Sequence, residues 1–389
     1  MDIIRSRRRV LILVCALVMQ ACLGATYSWP VFVKPLRDLT GLGQGSAQLP
    51  FTLFYFAFPA SMMVAGWILP RLGPRRSAVL GGTLFGIGWI IASLGRIHFA
   101  FTVLGIGLIA GIGVGFAYIV PIAVCVQWFP AQKGLVTGIA VAGFGGGAAL
   151  VSRAAGAIIQ QGDPFRAFSV LGTVFVFLVP AAGLAMQYAP RLQEQSGTTL
   201  EIRSLLRRKE FRVLYGAMVA GLAAGFAVNA NLKELSPALD SGTVLIAVAL
   251  FALANAMGRI VWGAVFDRIR PGEAIRINLF CQALVLLVFF WLHGSENGFL
   301  IFAFLAGFNY GGVLVIFASS AARIWGSEHV GQVYGLLFSA NIAASPVAVL
   351  TGVAFDSFGD FTLCMVLLSG LLIAAALWTG RHESLLDSK

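Results

Sequence analysis

Apolar runs long enough to cross a hydrocarbon layer recur along the whole chain, separated by short polar interruptions. At 1.5 Å per residue about 20 residues traverse a ~30 Å core, so each run predicts a membrane-spanning helix. The spans read as 10–33, 48–69, 77–95, 100–127, 134–158, 166–188, 210–232, 242–265, 274–293, 298–320, 331–352 and 360–380. This pattern predicts an all-α integral membrane protein of twelve helices and leaves no stretch for a soluble domain.

Composition agrees with the pattern. Charged residues are 11% of the chain and hydrophobic residues 59%, whereas a soluble domain carries about a quarter charged residues. Lys and Arg collect in alternate connections: Arg5 to Arg9, Arg71 to Arg76, Lys133, Arg191 to Arg212, Arg268 to Arg276, Arg323, and Arg381 with Lys389. The intervening connections hold only Lys34, Arg37, Arg96, Arg166 and Lys233. Basic residues are retained on the cytoplasmic side, which predicts a cell-membrane protein with both termini cytoplasmic. The net charge of +11 then needs no nucleic acid as partner, and the bilayer itself is the surroundings. "MQAC" before Cys22 has the look of a lipoprotein signal, but the apolar stretch continues through "LGATYSWPVF" as a full span. The five cysteines, Cys15, Cys22, Cys125, Cys281 and Cys364, have no metal-ligand spacing. No cofactor or metal is expected, and the chain reads as a monomer.

The chain repeats itself at an offset of 197 residues. Gly24 falls on Gly221, Gly66 on Gly263, Arg71 on Arg268, Pro74 on Pro271, Gly115 on Gly312, Trp128 on Trp325, Gly134 on Gly331 and Gly138 on Gly335. Matches among 46 glycines are cheap, but the Trp, Arg and Pro matches fall in corresponding loops. Two six-helix bundles in parallel orientation follow, 1–189 and 210–389, joined by a polar cytoplasmic linker at 190–209.

Two parallel six-helix halves describe the major facilitator fold, and local motifs carry the resemblance further. "GWILPRLGPRR" and "GAVFDRIRPGE" resemble that superfamily's loop signature after its second and eighth helices, where an Asp and basic residues latch the cytoplasmic side in one state. The resemblance implies gating roles for Gly66, Arg71, Arg75, Gly263, Asp267 and Arg268. The first copy has Pro70 where the second has Asp267, so its latch lacks the acid. "WFPAQKGLVTGIAVAG", "GATYSWPVFVKPL" and "NAMGRIVWG" are similar to the fifth, first and eighth helices of the monocarboxylate transporters and the oxalate/formate antiporter family.

Arg259 is the residue that asks for a function. It lies eight residues, ~12 Å, before Asp267, with Asn255 at ~18 Å, so the two bracket the middle of a ~30 Å core on one helix face. An arginine there costs at least ~2.5–3.5 kcal/mol and does not shed its charge, so it must face a wet cavity or an anion. No Asp, Glu or Lys lies in the central two turns of any other span. Its planar fork suits one carboxylate held by two parallel hydrogen bonds, and the resemblance implies the same role. Tyr118, Tyr310 and Asn341 reach similar depth, ~15–20 Å from the cytoplasmic ends of their spans, as hydrogen-bonding candidates. Tyr27 lies nearer the outer mouth and reads either as a site residue or as an interfacial aromatic.

Departures from the family pattern limit what carries over. Where animal monocarboxylate transporters have a first-helix Lys this chain has Val31, and where they have an Asp one turn before the arginine it has Asn255. Asn341 stands where the oxalate carrier has a second cation. One central cation favours a monoanion such as lactate, pyruvate or formate over a dianion. His98, His293, His329 and His382 all lie away from mid-span, leaving proton coupling without an obvious carrier. The leading expectation is a secondary transporter of a small monocarboxylate, by proton symport or anion exchange. An oxalate/formate type exchanger is second. A membrane enzyme or sensor comes last, since no nucleophile and base share one depth.

Overall fold

The computed structural model describes residues 2–190, 200–232, 235 and 241–387. Arg191, Lys233, Lys389 and the linker residues 191–199 fall outside the described residues. α1 (Asp2–Leu23) passes through a 3₁₀ turn at Gly24–Ser28 into α2 (Pro30–Thr40), followed by α3 (Gln44–Leu72) and α4 (Pro74–Ala92). The next span is assembled from α5 (Ala100–Thr102), a π-helical stretch at Val103–Ala110 and α6 (Gly111–Trp128). α7 (Lys133–Gln160), α8 (Pro164–Gly183), the short α9 (Ile202–Arg207) and α10 (Lys209–Asn231) follow. α11 (Ser241–Phe266), α12 (Pro271–Leu292) and α13 (Glu296–Ile324) are continuous; α14 (Val330–Leu337), α15 (Ala340–Ala344) and α16 (Pro346–Phe358) share one span. α17 (Thr362–Arg381) and the short α18 (Glu383–Asp387) end the chain.

Among the described residues, twelve helical segments are long and apolar enough to cross a membrane. Large apolar side chains such as Phe177, Leu284, Trp291 and Leu350 stand exposed on them, as lipid-facing residues do when the solvent is hydrocarbon.

Proline explains two of the breaks. Pro30 has no N–H to donate four residues back, so Thr26 O accepts instead from Trp29 N at 3.1 Å and the helix tightens. Pro346 likewise leaves Ile342 O, which accepts from Ser345 Oγ at 2.9 Å. The first span therefore turns at Gly24–Ser28, inside the 10–33 stretch that hydropathy marks as one run.

The chain forms two compact units. One comprises Met1–Pro130, Ile139–Thr199 and Ser327–Phe338; the other comprises Ala131–Gly138, Leu200–Gly326 and Ser339–Lys389. In the first, α4 packs on α6 and α8, with a Cβ at Gly81 or Gly113 barred by the facing backbone. The glycine run after Gly143 works the same way: a Cβ on Gly147 would overlap the backbone of Ala21 on α1. In the second unit α11 lies along α13, where Gly258 meets Phe308, Gly307 meets Phe251 and Gly311 meets Asn255, each by backbone contact. Membrane helices associate through such small-residue seams because lipid offers no hydrophobic drive to bring helices together.

The end of the chain folds back on this second unit. Leu386 is buried, Glu383 pairs with Arg276, and Asp387 Oδ1 accepts from Gly272 N at 3.1 Å. Burial pushes the Asp387 carboxyl above the usual aspartate value, while the Gly272 amide pulls the other way.

Candidate functional site

Arg259 sits on α11 with 3% of its surface exposed, and Asn255, one turn earlier, is also buried. The crossing with α7 occurs at the arginine itself: a Cβ on Gly138 would overlap Arg259 O, and Gly134 and Gly263 meet carbonyl to Cα from both sides. On the other flank, Gly311 takes the backbone of Asn255, which places Tyr310 beside the α11–α13 seam. Tyr310 lies flat on Gly225 of α10 and touches Phe226 and Phe251 edge-on or tilted. Asn341 is half-buried in α15, just past the break between α14 and α15. Arg259, Asn255, Tyr310 and Asn341 thus belong to the second unit.

Tyr27 and Tyr118 belong to the first, where they join an aromatic cluster. Tyr27 lies edge-on to Phe144 at 4.9 Å between ring centroids and stacks on Tyr55 at 6.0 Å. Tyr118 packs against Phe144 at 5.3 Å, Phe58 at 5.2 Å and Phe338 at 5.6 Å. Tyr118 is 2% exposed, and its main-chain carbonyl accepts from Gln20 Nε2 at 3.2 Å. Phe58, Phe144 and Phe338 are apolar residues in apolar runs, so nothing in the sequence sets them apart. Gln20 is different: an amide in the middle of an apolar run is a visible signal that depth counting alone passed over.

The gating candidates divide clearly. Asp267 holds the start of α7, with Oδ1 accepting from Gly134 N at 2.7 Å and Oδ2 from Leu135 N at 2.9 Å. These are two of the N–H groups that a helix N-terminus leaves without partners, and a carboxylate there also meets the positive end of the helix dipole. Arg268 turns back to Ala264 O on its own helix, and Arg71 and Arg75 are exposed. Two further residues complete the clasp. Arg323 donates to Phe266 O at 3.0 Å and Ile269 O at 2.6 Å and lies 4.2 Å over the Phe266 ring. Lys133 Nζ donates to Ala322 O at 3.1 Å. All three acceptors are main-chain carbonyls remote from the donor in sequence, which no residue pattern discloses.

The comparisons with known proteins fit this architecture. The family model described as Major Facilitator Superfamily matches residues 12–349. The chain belongs to that superfamily. It is 26% identical over 381 residues to the oxalate:formate antiporter of Oxalobacter formigenes, covering 95% of this chain and 90% of that one. Apicoplast pyruvate carrier 1 of Toxoplasma gondii is 25% identical, with 73% of this chain and 65% of the carrier aligned. Monocarboxylate transporter 13 of Bos taurus is 23% identical over 79% and 73% of the two chains. Among solved structures, the transporter FucP in its outward conformation superposes with a TM-score of 0.75 at 13% identity, covering 95% of this chain and 98% of that one. The fold is that of the major facilitators, and the chain is a multi-pass membrane transporter, not an enzyme.

Proposed function

We propose that the chain is a secondary transporter that exchanges small monocarboxylate anions by alternating access, with Arg259 as the carboxylate-binding cation. The observation that carries this reading is an arginine with 3% of its surface exposed in mid-span, where a permanent charge is expensive and a carboxylate substrate is a fitting counter-ion. Asn255, Tyr310 and Asn341 serve as hydrogen-bonding neighbours, Tyr118 remains a hydrogen-bonding candidate and Tyr27 a further candidate, each within the first unit, and Asp267 with Gly66, Gly263, Arg71, Arg75 and Arg268 serves as the gate. The two halves, 1–189 and 210–389 with the linker 190–209, are taken as the moving bodies, in a cell membrane with both termini cytoplasmic and the chain monomeric.

Exchange is favoured over proton symport because no Asp, Glu or His occupies the middle of a span, which leaves no side chain there to carry a proton at neutral pH. The relatives named above for oxalate:formate antiport, pyruvate and monocarboxylates support the substrate class. Oxalate exchange is the second reading, favoured by the antiporter relative. Asn341 argues against it, because a dianion's second carboxylate would be desolvated there beside an amide with no compensating charge.

Counterflow in proteoliposomes separates the two readings. Labelled lactate or pyruvate should exchange for internal unlabelled monocarboxylate without a pH gradient, and oxalate should compete weakly. Asn341→Lys should raise the oxalate to lactate ratio about tenfold, a change of ~1.4 kcal/mol. A wild type that already prefers oxalate overturns the monocarboxylate reading. Lactate uptake that requires a pH gradient overturns exchange.

A further inference from the structure

A small surface element lies outside every span. α9 (Ile202–Arg207) precedes α10, and Arg208 between them is extended, with φ −67° and ψ 132°. That break lets α9 leave the line of the span, while buried Leu205 pins it to the second unit. Its remaining apolar residues face outward: Ile202 is 45% and Leu206 47% exposed. Being four apart on a helix, they share one face. Arg203 and Arg207, also four apart, make the adjoining face and are exposed, as are Arg208, Lys209 and Arg212. From Glu201 to Arg212 the acids are Glu201 and Glu210 alone.

An apolar pair with 45–47% of its surface exposed is unremarkable within a span, where lipid covers it. Here the pair lies beyond the span that begins at Lys209. A helix with an apolar face, arginines beside it and one fixed end at the membrane surface fits the boundary between headgroups and acyl chains. Arginine stems run along apolar surface while their guanidinium groups seek phosphate.

We infer that α9 is a lipid-docking helix: Ile202 and Leu206 enter the headgroup boundary of the leaflet at this end of the protein, and Arg203 and Arg207 select acidic phospholipids. The charge balance names the occupant. Five basic side chains against two acidic ones in twelve residues match an anionic leaflet, where each basic residue near the surface contributes about a fivefold gain in binding. This assignment is independent of the substrate.

The test uses the full chain with its five native cysteines replaced by alanine and Leu206→Cys carrying the environment-sensitive dye NBD. The protein is reconstituted in phosphatidylcholine vesicles with and without phosphatidylglycerol. With phosphatidylglycerol, NBD emission should shift to the blue and be quenched by doxyl-labelled lipid. In molar salt, where the screening length is ~3 Å, the shift should reverse. The double variant Arg203→Gln with Arg207→Gln should lower the docked to undocked ratio about twenty-five-fold, two fivefold steps. Ile202→Ser should weaken the shift without abolishing its lipid preference. Emission that is the same in both lipids, water-like or bilayer-like, overturns the proposal, and so does a shift that survives removal of the two arginines.

Discussion

Two helix crossings, one in each unit, are built on the same backbone and carry different chemistry. In the first unit α3 meets α14: a Cβ on Gly66 would overlap Gly331 O, and one on Gly335 would sit 2.9 Å from Met62 O. In the second, α11 meets the start of α7: Gly263 and Gly134 exclude each other's Cβ, and Gly138 lies on Arg259 O. Shifted by 197 residues, Met62, Gly66 and Pro70 become Arg259, Gly263 and Asp267, and Gly134 and Gly138 become Gly331 and Gly335. The glycines are kept on both sides because the backbones touch there. At the positions of Arg259 and Asp267 the charge is present on one side only.

Met62 is fully buried where its counterpart is the buried arginine. Pro70 offers neither carboxylate nor N–H where Asp267 binds two amides. The first turn of α14 accordingly has no side-chain cap at His329, and the connection before it is held instead by Gln127 Nε2 on Ser327 O at 3.3 Å. A helix crossing of this kind needs only close approach to form. Charge is an addition, and at these positions only the second crossing carries it.

Making the second crossing like the first gives the largest expected effect. Arg259→Met should fold, since methionine already fills the equivalent crossing and a buried charge is often replaced without loss of stability. Its substrate exchange should fall more than a hundredfold. Arg259→Lys should also lose most exchange, because a point ammonium does not reproduce bidentate geometry. Uptake near wild type in the lysine variant would remove Arg259 from the role assigned to it; melting temperatures in detergent check the fold.

Next comes the close contact itself. Gly138→Ala must push α7 off the Arg259 carbonyl, whereas Gly335→Ala meets Met62 O at 2.9 Å and needs a smaller shift. We expect Gly138→Ala to reduce exchange at least tenfold and Gly335→Ala by two- to threefold. Equal losses would mean that the two crossings contribute alike.

A third comparison exchanges the latch. Asp267→Ala removes both side-chain acceptors from Gly134 N and Leu135 N, at a cost of ~0.5–2 kcal/mol typical of a lost helix cap. A cysteine placed at Leu135 should then react with a water-soluble maleimide roughly two- to thirtyfold faster. Pro70→Asp should slow labelling at the corresponding Gln332→Cys. If Pro70→Asp has no effect there, the first crossing does not open and close as a gate.

Much of this architecture is legible in the residue pattern, and the reasons for the rest are physical. The spans announce themselves because a hydrocarbon layer demands long apolar runs, and Arg259 stands out because charge is expensive there. The turn at Gly24–Ser28 has its cause in Pro30 but is hidden by an unbroken apolar run. The break between α14 and α15 has no proline or glycine at Phe338 or Ser339 to signal it. Arg323 and Lys133 bind main-chain carbonyls remote in sequence, and any residue supplies a carbonyl, so only the fold identifies their partners.

The smallest expected effect concerns a second difference between the units. α4 starts at Gly73 with no side-chain cap, whereas the corresponding start of α12 is capped from the end of the chain by Asp387 on Gly272 N. Burial raises the Asp387 carboxyl, nearby Glu383 and Glu273 raise it further, and the Gly272 amide and Arg270 oppose them. When α18 is released the carboxyl returns to its ordinary value near ~3.9. The docked state therefore binds the proton more tightly than the released state. Its contribution to docking is fully present below the ordinary value and is lost as pH rises through the raised one. Hydrogen exchange at residues 383–387, corrected for the intrinsic pH dependence of exchange, should show greater protection on the acid side of this window than at neutral pH. Asp387→Asn, which stays neutral, should flatten the profile, while Arg276→Gln should lower protection at neutral pH by removing the Glu383 pair. Protection that instead increases from acid to neutral pH would mean that Asp387 works as an ionised cap, and the start of α12 would then be held in the same way as the start of α7.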